Sequence, residues 1–114
     1  MASSEKRKGN AAERAVVDYL KKHGYPQARR TQAGTRGDIG DIDGVPGFAI
    51  EVKNHTRLDL AGWVAQMLAE IDQKGVENGV VVAKKRGTTD PGDWYAITPL
   101  HLWCKMLSNY REED

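Results

Sequence analysis

The fold of this chain is decided by residues 41–53, which have the sequence DIDGVPGFAIEVK. Turn-forming residues at 44–47 separate two runs whose composition is typical of β-strands. The first run is 41–43 and the second is 48–53. The pattern predicts a β-hairpin, and successive side chains of its second strand should point to opposite faces of a sheet.

A helix is predicted on the amino-terminal side of this hairpin, over residues 10–23. Val16 and Leu20 belong to an apolar stripe with helical spacing, and Gly24 ends the pattern. Asn10 is a plausible N-cap, because an acidic residue stands three positions later as in a capping box.

A second helix is predicted on the carboxyl-terminal side, over residues 60–74. Trp63, Met67 and Ile71 share its apolar face, and Gly75 closes it. A long helix between strands implies a crossover connection and some parallel pairing.

The remaining elements complete an α/β pattern. Strands are expected at 27–31, 79–84 and 94–97, and Thr98 should cap a last helix. We therefore predict one central mixed β-sheet flanked by helices, in the order αβββαββα.

Length and composition fit one domain over residues 1–114, with flexible polar ends at 1–8 and 110–114. Apolar runs are four or five residues long, whereas a membrane span needs about 20, so we expect a cytoplasmic protein without a membrane partner. The single cysteine, Cys104, excludes an internal disulfide and is predicted to be a buried thiol of the last helix. The three histidines show no metal-ligand spacing.

Charge is distributed unevenly along the chain, although the net charge is only +1. Residues 1–36 carry nine Lys or Arg against three Asp or Glu, whereas 37–53 carry four acids and one base. Basic surface attracts phosphate backbones, and a compact acidic block beside it suits a divalent cation.

The hairpin places candidate site residues on one face of the predicted sheet. Glu51 and Lys53 stand two residues apart in a strand and therefore point the same way, and Asp41 can approach Glu51 from the neighbouring strand. Two carboxylates at this range suit Mg²⁺, which keeps several waters. Such charged side chains can equally be solvated on an exposed strand face.

Two further aspartates compete for a role in this acidic block. Asp38 also precedes an isoleucine and is the alternative to Asp41 as metal ligand. Asp41 is preferred because the strand and the turn follow it directly. Asp43 shares a face with Asp41 but adjoins the turn, where Asp is common for local reasons.

The chain resembles the PD-(D/E)XK nuclease superfamily, and within it the Holliday junction resolvases of archaeal and phage type. The resemblance covers about residues 8–84. It rests on the opening helix, the small-residue loop, the two acidic motifs and a glutamine on the next helix, namely Lys8-Gly9-Asn10-Ala11-Ala12-Glu13-Arg14, Arg30-Thr31-Gln32-Ala33-Gly34-Thr35, Asp41-Ile42, Ala49-Ile50-Glu51-Val52-Lys53 and Gln66. The residue before Asp41 is Gly40, where the superfamily pattern has proline.

This resemblance implies a restriction-endonuclease-like core and roles for five residues. Asp41 and Glu51 would bind Mg²⁺, for which Mn²⁺ can substitute, with Glu13 completing the acidic site. Lys53 would position the attacking water or neutralise the scissile phosphate. Gln66 would contribute from the second helix. The competing interpretations are a capping role for Glu13 and a solvated polar side chain for Gln66.

Basic residues in three clusters around the acidic block are expected to contact DNA phosphates rather than to read bases. They are Lys6, Arg7 and Lys8 on a mobile arm, Arg29, Arg30, Thr35 and Arg36 around the glycine loop, and Lys84, Lys85 and Arg86 after the valine-rich strand. Runs of charge are otherwise ordinary solvated surface.

The leading hypothesis from the resemblance is a metal-dependent endonuclease that resolves four-way DNA junctions, acting as a homodimer in a prokaryotic or phage-infected cell. One alternative is a nuclease of the same kind that nicks or cuts flapped or linear DNA. Another is a DNA-binding module without catalytic activity.

Overall fold

The computed structural model describes residues 4–32 and 40–113. Its helices and strands follow in the order α1 (Ser4–Lys22), β1 (Arg29–Arg30), β2 (Ile42–Asp43), β3 (Phe48–Lys53), α2 (Leu60–Lys74), β4 (Asn78–Ala83), a 3₁₀ turn (Pro91–Asp93), β5 (Tyr95–Ile97) and α3 (Leu100–Glu113). The chain is therefore an α/β protein, as predicted.

The five strands form one mixed sheet in the order β1-β2-β3-β4-β5. β3 and β4 are parallel, with Lys53 opposite Ala83, and the other neighbours are antiparallel. The backbone N–H of Lys84 extends this pairing by donating to the carbonyl of Lys53 at 2.9 Å. The segments that follow β3 and β4 therefore leave the sheet side by side at one edge.

Both faces of the sheet are covered. Ile50 and Val52 of β3 pack toward Val16 of α1 in one apolar cluster. On the other face, Met67 of α2 packs against Val81 of β4. Because β3 lies between two helical layers, its polar side chains are also enclosed rather than solvated.

The turn of the hairpin requires glycine at position 44. Gly44 has φ +89°, and a Cβ there would collide with the carbonyl of Gln27. This close approach of the two backbones holds the hairpin against the segment that leads into β1.

The first helix starts six residues earlier than predicted. α1 begins at Ser4, so Lys6, Arg7 and Lys8 lie in its first turns rather than on a mobile arm, and Asn10 is an interior residue. The predicted N-cap is therefore wrong. The Asn10 side chain instead accepts a hydrogen bond from the guanidinium of Arg30 at 2.7 Å.

The last helix also differs from the prediction, which placed Cys104 in the core. Cys104 is exposed, and so is Trp103, at 50%. α3 turns Leu102 toward the sheet instead, where it packs in the α2 cluster. The predicted helix is present, but its contact face is rotated. Among the described residues, no helix is long and apolar enough to cross a membrane.

Candidate active site

Asp41 is fixed against β3 by two hydrogen bonds. Its backbone N–H donates to the carbonyl of Ile50 at 2.9 Å, and its carboxylate Oδ2 accepts from the backbone N–H of Val52 at 2.8 Å. The side chain is therefore held beside Glu51 on the neighbouring strand.

Glu51 and Lys53 point to the same face of β3, toward α2. Glu51 is only 3% exposed, and the ammonium of Lys53 lies 3.6 Å from its carboxylate. The Lys53 ammonium also donates to the side-chain oxygen of Gln66 at 2.8 Å. The prediction that Lys53 and Glu51 share a face is confirmed, and Gln66 contacts Lys53 rather than being only solvated.

Glu70 of α2 completes this group, although it was not among the site residues predicted from the sequence. The side-chain amide of Gln66 lies 3.4 Å from Glu70 Oε1. Glu70 Oε2 is buried, and no amide, hydroxyl or ammonium of the described residues donates to it. The signal was in the spacing, because a glutamate three residues after Met67 falls on the buried stripe of an amphipathic helix.

Gly40 makes room for these carboxylates. It has φ +81°, and a Cβ at this position would lie 3.2 Å from the carbonyl of Ile50 and 3.4 Å from Glu70 Oε2. The glycine before Asp41 thus allows the backbone to pass close to both groups.

Burial shifts the proton affinity of all three carboxyl groups upward. Burial, followed by the neighbouring Glu70 and Asp41, raises the pKa of Glu51 to about 9. Burial is also the main cause of the raised pKa of Asp41 and of Glu70. Glu51 is therefore neutral near pH 7 and lies within hydrogen-bonding reach of both neighbours.

The donor set suits a hard divalent cation. Carboxylate oxygens are the ligands that Mg²⁺ prefers, and the buried Oε2 of Glu70 has no hydrogen-bond partner among the described residues. Within residues 4–32 and 40–113, no group of three or more His, Cys, Asp or Glu is arranged so that it could hold a metal ion by itself. Mg²⁺ is commonly bound by one or two carboxylates together with substrate phosphates, so the residues present fit that mode.

Glu13 lies at the edge of the same site. Its carboxylate accepts from the Arg30 guanidinium at 3.1 Å, and burial, followed by the nearby Asp41, raises its pKa. Glu13 is therefore engaged across to β1 and close to Asp41, and it does not close a capping box on Asn10.

Two other aspartates compete with Asp41 for a role in the carboxylate cluster. Asp43 pairs with the Lys74 ammonium at 3.0 Å. Asp38, Thr35 and Arg36 lie outside the described residues.

The predicted phosphate-binding residues fall into separate places. Lys8, Lys84, Lys85 and Arg86 line one cavity of about 520 Å³. Arg29 and Arg30 line a different surface depression, beside α1.

Comparisons of this chain with protein-family models, with curated proteins and with solved structures found no significant match. The interpretation of the site therefore rests on its residues and their geometry.

Proposed function

We propose that this protein is a metal-dependent endonuclease that hydrolyses phosphodiester bonds in DNA. The observation that carries the proposal is the convergence of Asp41, Glu51 and Glu70 beside the ammonium of Lys53. Burying several carboxyl groups costs free energy, and such clusters beside an oriented lysine are more typical of functional sites than of purely structural ones.

Asp41 and Glu51 would hold the cation, which we propose to be Mg²⁺ or Mn²⁺, with Glu70 adjacent. Such a cation supplies positive charge beside a phosphate and lowers the pKa of water. The position of Asp41 is set by the Val52 N–H, so its second oxygen is the one available to a cation. Glu13 supports the site from α1.

Lys53 would contact the phosphate or the attacking water. Its hydrogen bond to Gln66 orients the ammonium, and its distance of 3.6 Å from Glu51 places it next to the carboxylates. Water attacks phosphorus in line and gives a proton to solvent, the opposite P–O bond breaks, and the leaving oxygen takes up a proton from solvent. The ammonium stabilises the charge that develops on the phosphate oxygens.

Similarity to the PD-(D/E)XK pattern supports the same proposal. Asp41 directly precedes β2, and Glu51 and Lys53 lie on the neighbouring strand β3. We therefore propose a restriction-endonuclease-like core, with branched DNA such as a four-way junction as the substrate. A homodimer would supply one site for each of the two symmetric strands.

The exposed face of α3, with β5 beside it, is where we place the second copy. Its exposed large side chains are Tyr95, Leu100, Trp103, Leu107 and Tyr110. Large aromatic side chains of this kind contribute strongly to the energetics of protein interfaces.

The experiment is cleavage of end-labelled four-way junction and linear duplex of the same sequence, in Mg²⁺ and in EDTA. We expect Mg²⁺-dependent cutting of the junction by the unmodified chain, loss of cutting in Glu51→Gln, and normal cutting in Asp72→Asn, whose carboxylate is exposed on α2. Equal cutting of both DNAs would reject the junction as the preferred substrate. Binding without any product, by chain shown to be folded, would favour the inactive DNA-binding module.

A further inference from the structure

A basic cleft lies where the chain leaves β3 and β4, and it is not needed to explain hydrolysis. Its cavity of about 520 Å³ is lined by Lys8 of α1, by residues 54–56 after β3 and by residues 84–89 after β4. Four of the lining side chains are cationic, namely Lys8, Lys84, Lys85 and Arg86. None of its lining residues within the described part of the chain is acidic, so the cleft is suited to an anion.

The walls of this basic cleft are joined to the strand that carries Lys53. The Asn54 side-chain amide lies 3.4 Å from the carbonyl of Lys8, and Lys84 N–H donates to Lys53 at 2.9 Å. The Lys84 ammonium also lies over the ring of Trp94, 5.6 Å from its centroid. The cleft therefore begins one residue from Lys53.

His55 adds a flat ring to the cleft. The side chain is exposed, and its ring centroid lies 5.7 Å from that of Trp63 with an interplanar angle of 35°. Contact with buried Trp63 limits the orientations of the imidazole. Sites for single-stranded nucleic acid combine a cationic groove with ring surfaces on which bases stack, and histidine is one of the residues used.

We propose that the basic cleft binds an unpaired segment of the DNA strand, one or two nucleotides long, beside the phosphate that is cut. The cavity lies within the range of about 300–1,000 Å³ that is typical of sites for small ligands. A volume of this size can hold one or two nucleotides of an unpaired strand. The phosphates contact Lys84, Lys85 and Arg86, and a base stacks on His55. This inference rests on the proposed function, and it identifies the substrate class as DNA with a single-stranded stretch or branch at the cut.

The test is binding of a fluorescent hexathymidylate and of a short blunt duplex by the full chain in EDTA, where no cutting occurs. We expect the double variant Lys85→Ala with Arg86→Ala to bind the single strand at least tenfold more weakly. The plot of log affinity against log salt concentration should become shallower by about 1.4 for this variant. Two phosphate contacts are lost, and each single-strand contact contributes about 0.7 to the slope. The matched control is Lys21→Ala with Lys22→Ala, which removes the same charge from the end of α1.

His55 provides the second readout. We expect His55→Ala to lower single-strand affinity about tenfold with an unchanged salt slope, and His55→Phe to restore it, because stacking is worth about 1–3 kcal/mol per base. Loss of duplex affinity as large as the loss of single-strand affinity, or equal effects of the two double variants, would overturn the proposal. Binding assays are independent of hydrolysis. A chain that binds as expected but never cuts would therefore reject the proposed nuclease activity and leave the single-strand site in place.

Discussion

At the scale of single residues, the unusual feature is a glutamate that is neutral at physiological pH. Burial raises the pKa of Glu51 to about 9, against an ordinary value of 4.5. The neutral form is compatible with burial, whereas ionisation leaves a charge that only Lys53 partly offsets. A bound cation would provide the missing charge and favour the ionised form.

The first prediction follows from this shift. The folded chain binds the Glu51 proton more tightly than the unfolded chain, so this stabilisation is complete below about pH 4.5 and is lost as the pH rises toward 9. Between pH 5 and 9, in metal-free buffer, we expect the free energy of unfolding to fall by on the order of 5 kcal/mol more in the unmodified chain than in Glu51→Gln. Urea titrations at each pH measure this, and parallel profiles for the two proteins would contradict it.

The second prediction concerns how Lys53 is oriented. Gln66 accepts from the Lys53 ammonium at 2.8 Å. We expect Lys53→Ala to lower the single-turnover cleavage rate by at least 100-fold and Gln66→Ala by about tenfold, because the first removes the charge and the second only its positioning. Gln73→Ala, on the exposed face of α2, is the control and should cut normally. A Gln66→Ala rate equal to that of the control would show that the contact is not used.

At the scale of elements, local patterns predicted the hairpin and α2, and they missed features that depend on tertiary contacts. Glycine and proline at 44–47 mark the turn from sequence alone. The start of α1 was misplaced because Asn10 has the chemistry of a cap, whereas its partner in the fold is Arg30, twenty residues away. The spacing of Glu70 from Met67 predicts a buried position, but only the fold shows that Glu51 is its neighbour, so its place in the carboxylate cluster was missed.

The third prediction tests the close approach at the hairpin turn. Gly44→Ala should lower the free energy of unfolding by about 2 kcal/mol or more, because φ is +89° and a Cβ would meet the Gln27 carbonyl. Gly9→Ala is the matched control. It lies within α1 with open space around it, so we expect it to stabilise the chain by about 0.5–1 kcal/mol. Equal effects in urea unfolding would refute the structural role of Gly44.

At the scale of the whole molecule, α3 is attached to the sheet mainly through Leu102 and exposes an apolar ridge on its outer side. The sequence predicted an amphipathic helix correctly, but the direction of its apolar face depends on how the helix meets β4. An exposed ridge of this size is typical of an interaction surface.

The fourth prediction is that this ridge joins two copies. Sedimentation velocity at micromolar concentrations should show a dimer that Trp103→Glu converts to monomer, because the charge would be buried in the interface. Tyr25→Glu, on an exposed aromatic residue next to β1 at the opposite edge of the sheet, should remain dimeric. A monomeric unmodified chain, or dissociation by both substitutions alike, would exclude the α3 interface.

The most direct test of the central claim is to locate the cation itself. Crystals of the chain grown with Mn²⁺ near pH 8 should show one anomalous scattering peak at about 2.1 Å from carboxylate oxygens of Asp41 and Glu51, with Glu70 adjacent. The same crystals of Glu51→Gln should lack it. A peak elsewhere on the molecule, or an empty carboxylate cluster at saturating Mn²⁺, would contradict the assignment of these residues as the metal site of a nuclease.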